Sequence, residues 1–131
     1  MGADRGRMRG SGNGGGAGGP RVVELSPEQL AGLLAEGGVR LLDVRQALEH
    51  WLERIPGSAL APLSTFDPAQ YAAEADATVL YCRSGARSHA AAAQLSSASG
   101  RPVRHLAGGI NAWKTSGRPI ERWGRTRKGE A

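Results

Sequence analysis

The chain has one cysteine, Cys82, and the residues after it are small, polar or basic: Arg83, Ser84, Gly85, Ala86, Arg87 and Ser88. A lone thiol forms no internal disulfide, and structural zinc sites draw on two or more cysteines at short spacing, so neither use accounts for it. None of residues 83–88 is proline, so each supplies a backbone N–H, and Gly85 permits a conformation closed to most residues. A strand, a tight turn and a helix in succession aim such groups, with the positive end of the helix dipole, at one centre. A cysteine at that centre is favoured as thiolate, its pKa falling from about 8.5 into the range of roughly 3.5–7.5. Arg83 and Arg87 would reinforce the effect and offer forked hydrogen bonds to an incoming oxyanion. The competing reading is an inert thiol buried at a strand end. A cysteine protease fits poorly, because it needs a histidine base and an orienting third group. His50, His89 and His105 read as surface or packing residues; His89 falls early on the helix after the loop but has no named partner.

Positioning such a turn requires a strand before it and a helix after it, and the pattern supplies both. TVLY (78–81) is an unbroken apolar strand, and RSHAAAAQLSSAS (87–99) is an alanine-rich helix able to pack closely on a sheet. The same alternation runs along the chain. VVEL (22–25) and VRLLDV (39–44) read as strands around a helix opened by Ser26-Pro27-Glu28 and closed at Gly37-Gly38. QALEHWLER (46–54) reads as a helix stopped before Pro56-Gly57, SALAPL (58–63) as a brief extended piece, and FDPAQYAAEA (66–75) as a helix capped by Asp67. VRHL (103–106) is a last strand and GGINAWKTS (108–116) a last helix. Short apolar strands alternating with helices predict an α/β fold, an open and mainly parallel sheet with helices on both faces. Ligands bind such sheets beyond the carboxyl ends of the strands. Cys82, Asp43 and Gly108-Gly109 all fall there, which predicts one site built from three segments.

Length and charge narrow the rest. The 131 residues suit one domain, and no apolar stretch approaches the roughly 18–20 residues of a membrane span. Residues 1–20 lack the apolar centre of a secretory signal, and SGNGGGAGG cannot be the amphipathic helix of a mitochondrial presequence. With nine glycines among them, those residues are expected to form a disordered tail. The net charge of +5 divides into +2 over residues 1–20, zero over 21–117 and +3 over 118–131. Basicity confined to the ends points to solvated tails rather than a nucleic-acid surface. One cysteine and no membrane span point to a reducing cytoplasm, with no metal or cofactor called for.

LLDVR (41–45), RIPGSALAPL (54–63), LYCRSGARS (80–88) and LAGGINAWKTSGRPIE (106–121) resemble, in that order, the motifs of the rhodanese family of sulfurtransferases. The resemblance spans Val22 to Glu121, dividing the chain into a tail (1–20), a rhodanese domain (21–121) and a basic carboxyl-terminal tail (122–131). It implies a five-stranded parallel sheet between helices. It also implies that Cys82 accepts sulfur from a small donor such as thiosulfate and passes it to cyanide, a thiol or a protein acceptor. Residues 83–88 would complete the active-site loop, with Arg83 and Arg87 holding the sulfonate end of the donor. Asp43 and Arg45 match an Asp-x-Arg that braces the loop as an ion pair. Gly108, Gly109 and Trp113 match a motif assigned to close packing and core. Two departures fall at the pocket rim: Arg54 stands where the family usually has His, and His50 and Leu52 where an aromatic and a glycine are common. Phosphatases of related fold use a loop one residue longer than the six positions from Cys82 to Arg87. Non-catalytic docking modules of the family generally lose the cysteine that is kept here.

Overall fold

The computed structural model describes residues 19–123 and 125–126. The expectation of disorder for residues 1–18, like the tail assigned to residues 127–131, lies outside the described residues. In chain order the elements are β1 (Val22–Leu25), α1 (Pro27–Glu36), β2 (Arg40–Asp43), α2 (Ala47–Leu52), β3 (Glu53–Arg54) and β4 (Ala59–Leu60). They continue with β5 (Thr78–Tyr81), α3 (Ala86–Ser99), β6 (Val103–Leu106), α4 (Gly109–Thr115), β7 (Glu121–Arg122) and β8 (Arg125–Thr126). Five strands form one sheet in the order β1-β6-β5-β2-β4, and every pairing in it is parallel. Among the described residues no helix is long and apolar enough to cross a membrane.

The unbroken apolar strands exist because the sheet is covered on both faces. Val79 and Tyr81 of β5 join Leu30 of α1 and Ile110 and Trp113 of α4 in one core. Their neighbours Leu80 and Cys82 join Ala91, Ala92 and Leu95 of α3 in the other. Strand side chains alternate between faces, so a strand wetted on neither side must be apolar throughout. Each fully buried Leu, Ile or Val contributes about 1.5–3 kcal/mol. Helix α1 begins as its sequence predicts: the Ser26 hydroxyl accepts from the Gln29 amide at 3.1 Å, and the Gln29 side chain accepts from the Ser26 amide at 2.8 Å.

Two segments depart from expectation. Residues 66–75 are not an α-helix; the chain makes 3-10 turns at Leu63–Thr65, Pro68–Gln70 and Ala72–Ala77. Asp67 does cap the second, accepting from the Ala69 amide at 3.1 Å. That turn ends at Tyr71, whose ring is stacked on Phe66 at 5.5 Å with both packed against the core. The helix expected over 46–54 ends at Leu52, since Glu53 and Arg54 pair antiparallel with β7. That pairing also draws residues 121–122 and 125–126 into a second, three-stranded sheet, β3-β7-β8, so the segment past Glu121 begins as strand rather than tail.

Candidate active site

Cys82 sits at the carboxyl end of β5 and is only 1% exposed. The chain then turns at Gly85, whose φ of 121° lies in the region that glycine alone visits readily, and enters α3 at Ala86. Two amides of this turn donate to the Cys82 sulfur, Gly85 at 3.1 Å and Ser88 at 3.3 Å, and the Ser88 hydroxyl lies 3.6 Å away. Ser88 falls in the first turn of α3, where amides have no partner within the helix. Burial by itself pushes the thiol pKa up. The Ser88 hydroxyl and the amides of Ser88, Gly85 and Ser84 outweigh it, and the thiol lies below its ordinary value.

The carbonyls of the same turn face elsewhere, and α4 holds them. The amides of Ile110 and Asn111 donate to the carbonyls of Cys82 and Arg83 at 2.9 and 3.1 Å. Only glycine permits this approach, because a side chain at Gly109 would collide with both carbonyl groups. The close-packing role expected of the glycine pair thus falls on the loop's acceptor side. Trp113 is core, 3% exposed, with its ring N–H donating to Pro119 at 2.6 Å.

The two arginines separate. The fork that the sequence offered to an incoming oxyanion is, for Arg87, engaged by Glu49 of α2 at 2.7 and 3.0 Å. The Arg87 hydrogen bond holds the Glu49 carboxyl at about 2. The Arg83 side chain is exposed and, among the described residues, its guanidinium makes no hydrogen bond or ion pair. It opens onto a groove of about 500 Å³ that also takes in Leu52, Asn111, Lys114 and Arg122. Ser84 and Ala86 are exposed as well.

Asp43 and Arg45 form the expected ion pair, both buried, with a closest approach of 2.7 Å. What they brace is the wall opposite the loop. Arg45 also donates to the Glu53 carbonyl at 2.6 Å, while Asp43 receives the Tyr81 hydroxyl at 3.1 Å and lies 2.9 Å from His50 Nδ1. Burial, then the Asp43 charge, push the Tyr81 phenol up, so it stays a donor. The pair therefore fixes α2, and α2 through Glu49 fixes Arg87.

A matching family covers most of this architecture: residues 26–116 match the Rhodanese-like domain. The chain belongs to the rhodanese-like domain family. A protein named sulfurtransferase from Allochromatium vinosum is 37% identical over 101 residues, covering 76% of this chain and 94% of its own length. An uncharacterized protein of Synechocystis sp. is 43% identical over 98 residues, and the matched part spans 74% of this chain but only 55% of that protein. Among solved structures, the thiosulfate sulfurtransferase of Pseudomonas aeruginosa superposes with a TM-score of 0.65 at 32% identity, covering 87% of this chain and 22% of that one. The rhodanese-like fold is thereby shown, and two of these relatives carry the name sulfurtransferase.

Three features of this rhodanese-like domain escaped the sequence. His50 is no bystander, since it lies on Asp43 and ties α2 to the sheet. Arg54, which replaces the usual His, points into the small sheet, where its guanidinium meets Glu121 at 3.2 Å and the His50 carbonyl at 3.2 Å. His105 is buried, and its Nδ1 lies 2.7 Å from the Ser88 hydroxyl. Its position in VRHL offered no signal; only the pairing of β5 with β6 brings it beneath the loop.

Proposed function

We propose that this domain is a sulfurtransferase that carries sulfane sulfur as a persulfide on Cys82. The observation that supports it best is the pair of backbone N–H groups on the sulfur of the chain's one cysteine. The thiolate attacks the outer sulfur of thiosulfate or of another persulfide donor. With thiosulfate, a new S–S bond forms to Cys82, the donor's S–S bond breaks and sulfite leaves with the bonding pair. Cyanide, a thiol or a protein acceptor then attacks the terminal sulfur and returns Cys82 to thiolate, a two-step ping-pong cycle. Arg83, uncommitted at the groove, receives the sulfonate end of the donor. Arg87 positions the loop from behind. The single thiol, with no second cysteine to resolve the persulfide, suits a reducing compartment such as the cytoplasm and discharge by an outside nucleophile.

Incubation with excess thiosulfate followed by intact-mass measurement tests the assignment. The expected result is a gain of one sulfur atom that disappears in Cys82→Ser and on addition of cyanide. Absence of an adduct under excess donor would leave a docking module instead, and rapid hydrolysis of an aryl phosphate with thiosulfate untouched would move the chain to phosphatase chemistry.

A further inference from the structure

Helix α2 is inside out. None of its six residues is buried. Its polar side chains hold it to the domain, Glu49 on Arg87 and His50 on Asp43. Leu48, Trp51 and Leu52 stand in solvent instead, 64%, 50% and 52% exposed. A helix that covers a core does the reverse, so the fold gains little from these three. They are also contiguous with others. Leu48 lies one helical turn from both Trp51 and Leu52. With Trp51 and with Leu60 of the edge strand β4 it lines a shallow recess of about 480 Å³. Trp51 meets Trp123, itself 67% exposed. The five are all but one of the large apolar side chains that are exposed among the described residues. Single exposed apolar residues need no explanation, whereas a contiguous patch of them marks a contact surface.

The patch runs into the groove beside the Cys82 loop, because Leu52 lines that groove together with Arg83, Lys114 and Arg122. The groove is positive in sum. Lys114 and Arg122 share the carboxylate of Glu53, and the Arg83 guanidinium has no partner among the described residues. We propose that the face formed by Leu48, Trp51 and Leu60 docks a protein sulfur acceptor, which sets apolar side chains in the recess and carboxylates at the groove. This rests on Cys82 carrying the sulfur. The charge of the groove selects an acidic partner, and continuity at Leu52 brings the partner's thiol from the docked patch to the loop. The acceptor thiolate attacks the terminal sulfur of the persulfide. A new S–S bond forms to the acceptor, and the bond between Cys82 and that sulfur breaks with its electrons left on Cys82. Trp51 and Trp123, large and rigid, suit the centre of such a contact, while the basic rim speeds encounter. Cyanide enters the groove without touching the patch.

Synthetic thiol peptides serve as acceptor probes. The full chain is loaded with thiosulfate and desalted, and loss of the extra sulfur is timed by intact mass. One peptide carries leucines on one side of its cysteine and glutamates on the other. In two controls, serines replace the leucines or lysines replace the glutamates. The leucine–glutamate peptide is expected to discharge the wild type about tenfold faster than either control. Leu48→Gln and Trp51→Gln, each made singly, should cut the leucine preference to within about twofold while discharge by cyanide keeps its wild-type rate. Should Trp51→Gln loosen the small sheet, Leu48→Gln alone decides on the same terms. Equal rates for the three peptides, or a variant that slows cyanide as much as peptide, would overturn the docking surface. So would binding to phosphatidylserine vesicles, or a doubled mass by light scattering, that Leu48→Gln abolishes, since lipid or a second copy would then cover the patch. A thiosulfate adduct without any peptide preference removes the surface and leaves the sulfurtransferase. With no adduct the sulfurtransferase falls, and fluorescence anisotropy of the labelled peptides decides the surface: tighter binding of the leucine–glutamate peptide, weakened by Leu48→Gln, supports it, and equal binding of all three removes it.

Discussion

At the scale of single residues, the reactivity assigned to Cys82 comes from competition between burial, which favours the thiol, and hydrogen bonds that favour the thiolate. Much of this was legible beforehand. An apolar run closing on Cys-x-x-Gly fixes where the sulfur stands, because a strand end and a glycine turn are local features. The partner of Arg87 was not legible, since Glu49 is 38 residues away and either arginine could equally have been the free one. The Glu49–Arg87 fork gives a pH prediction. Its folded-state carboxyl pKa, about 2, lies below the ordinary 4.5, so its stabilisation is complete above the ordinary value and is lost as pH falls towards 2. For this partly exposed pair, screened by solvent, the contribution is about 0.5–1 kcal/mol. Melting curves of wild type and Glu49→Gln should keep a constant gap from neutral pH to about 5, closing in stronger acid. A gap that widens on acidification would contradict the assignment. Glu49→Gln should also weaken apparent thiosulfate affinity more than turnover, because Arg87 acts by holding the loop.

At the scale of elements, the loop is a clasp between two helices with divided duties. The first turn of α3 supplies N–H groups to the sulfur, and the first turn of α4 collects the carbonyls facing the other way. Gly109 is the hinge of that division. Its φ of 59° and the collision awaiting any side chain make Gly109→Ala doubly unfavourable. A loss of about 2–4 kcal/mol is expected, with sulfur transfer falling further than the loss of folded protein explains. Comparing denaturant midpoints with activity per folded molecule measures both. The helix content of α1, α3 and α4 was readable from caps, glycines and apolar spacing. The two-residue strands β3 and β7 were not, because a segment that short carries no periodicity and exists only through its partner.

At the scale of the whole molecule, parallel pairing goes with two covered faces, and the unbroken apolar strands announced it; the strand order they did not. The small β3-β7-β8 sheet changes how the basic end should be studied. Arg122 meets Glu53 at 3.2 Å, and the ring of Trp123 lies tilted against Trp51 of α2 with centroids 5.1 Å apart. Deleting residues 122–131 would remove those contacts together with the charge, confounding recruitment with folding. Arg127→Glu with Lys128→Glu isolates charge. If the basic end recruits an acidic protein acceptor, transfer to that acceptor should slow several-fold while transfer to cyanide holds. Equal slowing of both would count against recruitment.

The depth of the sulfur has a practical corollary. A covalent bridge between two copies needs their Cα atoms within about 7 Å, and a thiol 1% exposed at the floor of a turn cannot meet that distance without unravelling the turn. The protein should therefore stay uncrosslinked through prolonged aerobic storage, migrating identically on gels with and without reductant, even though its one cysteine is activated.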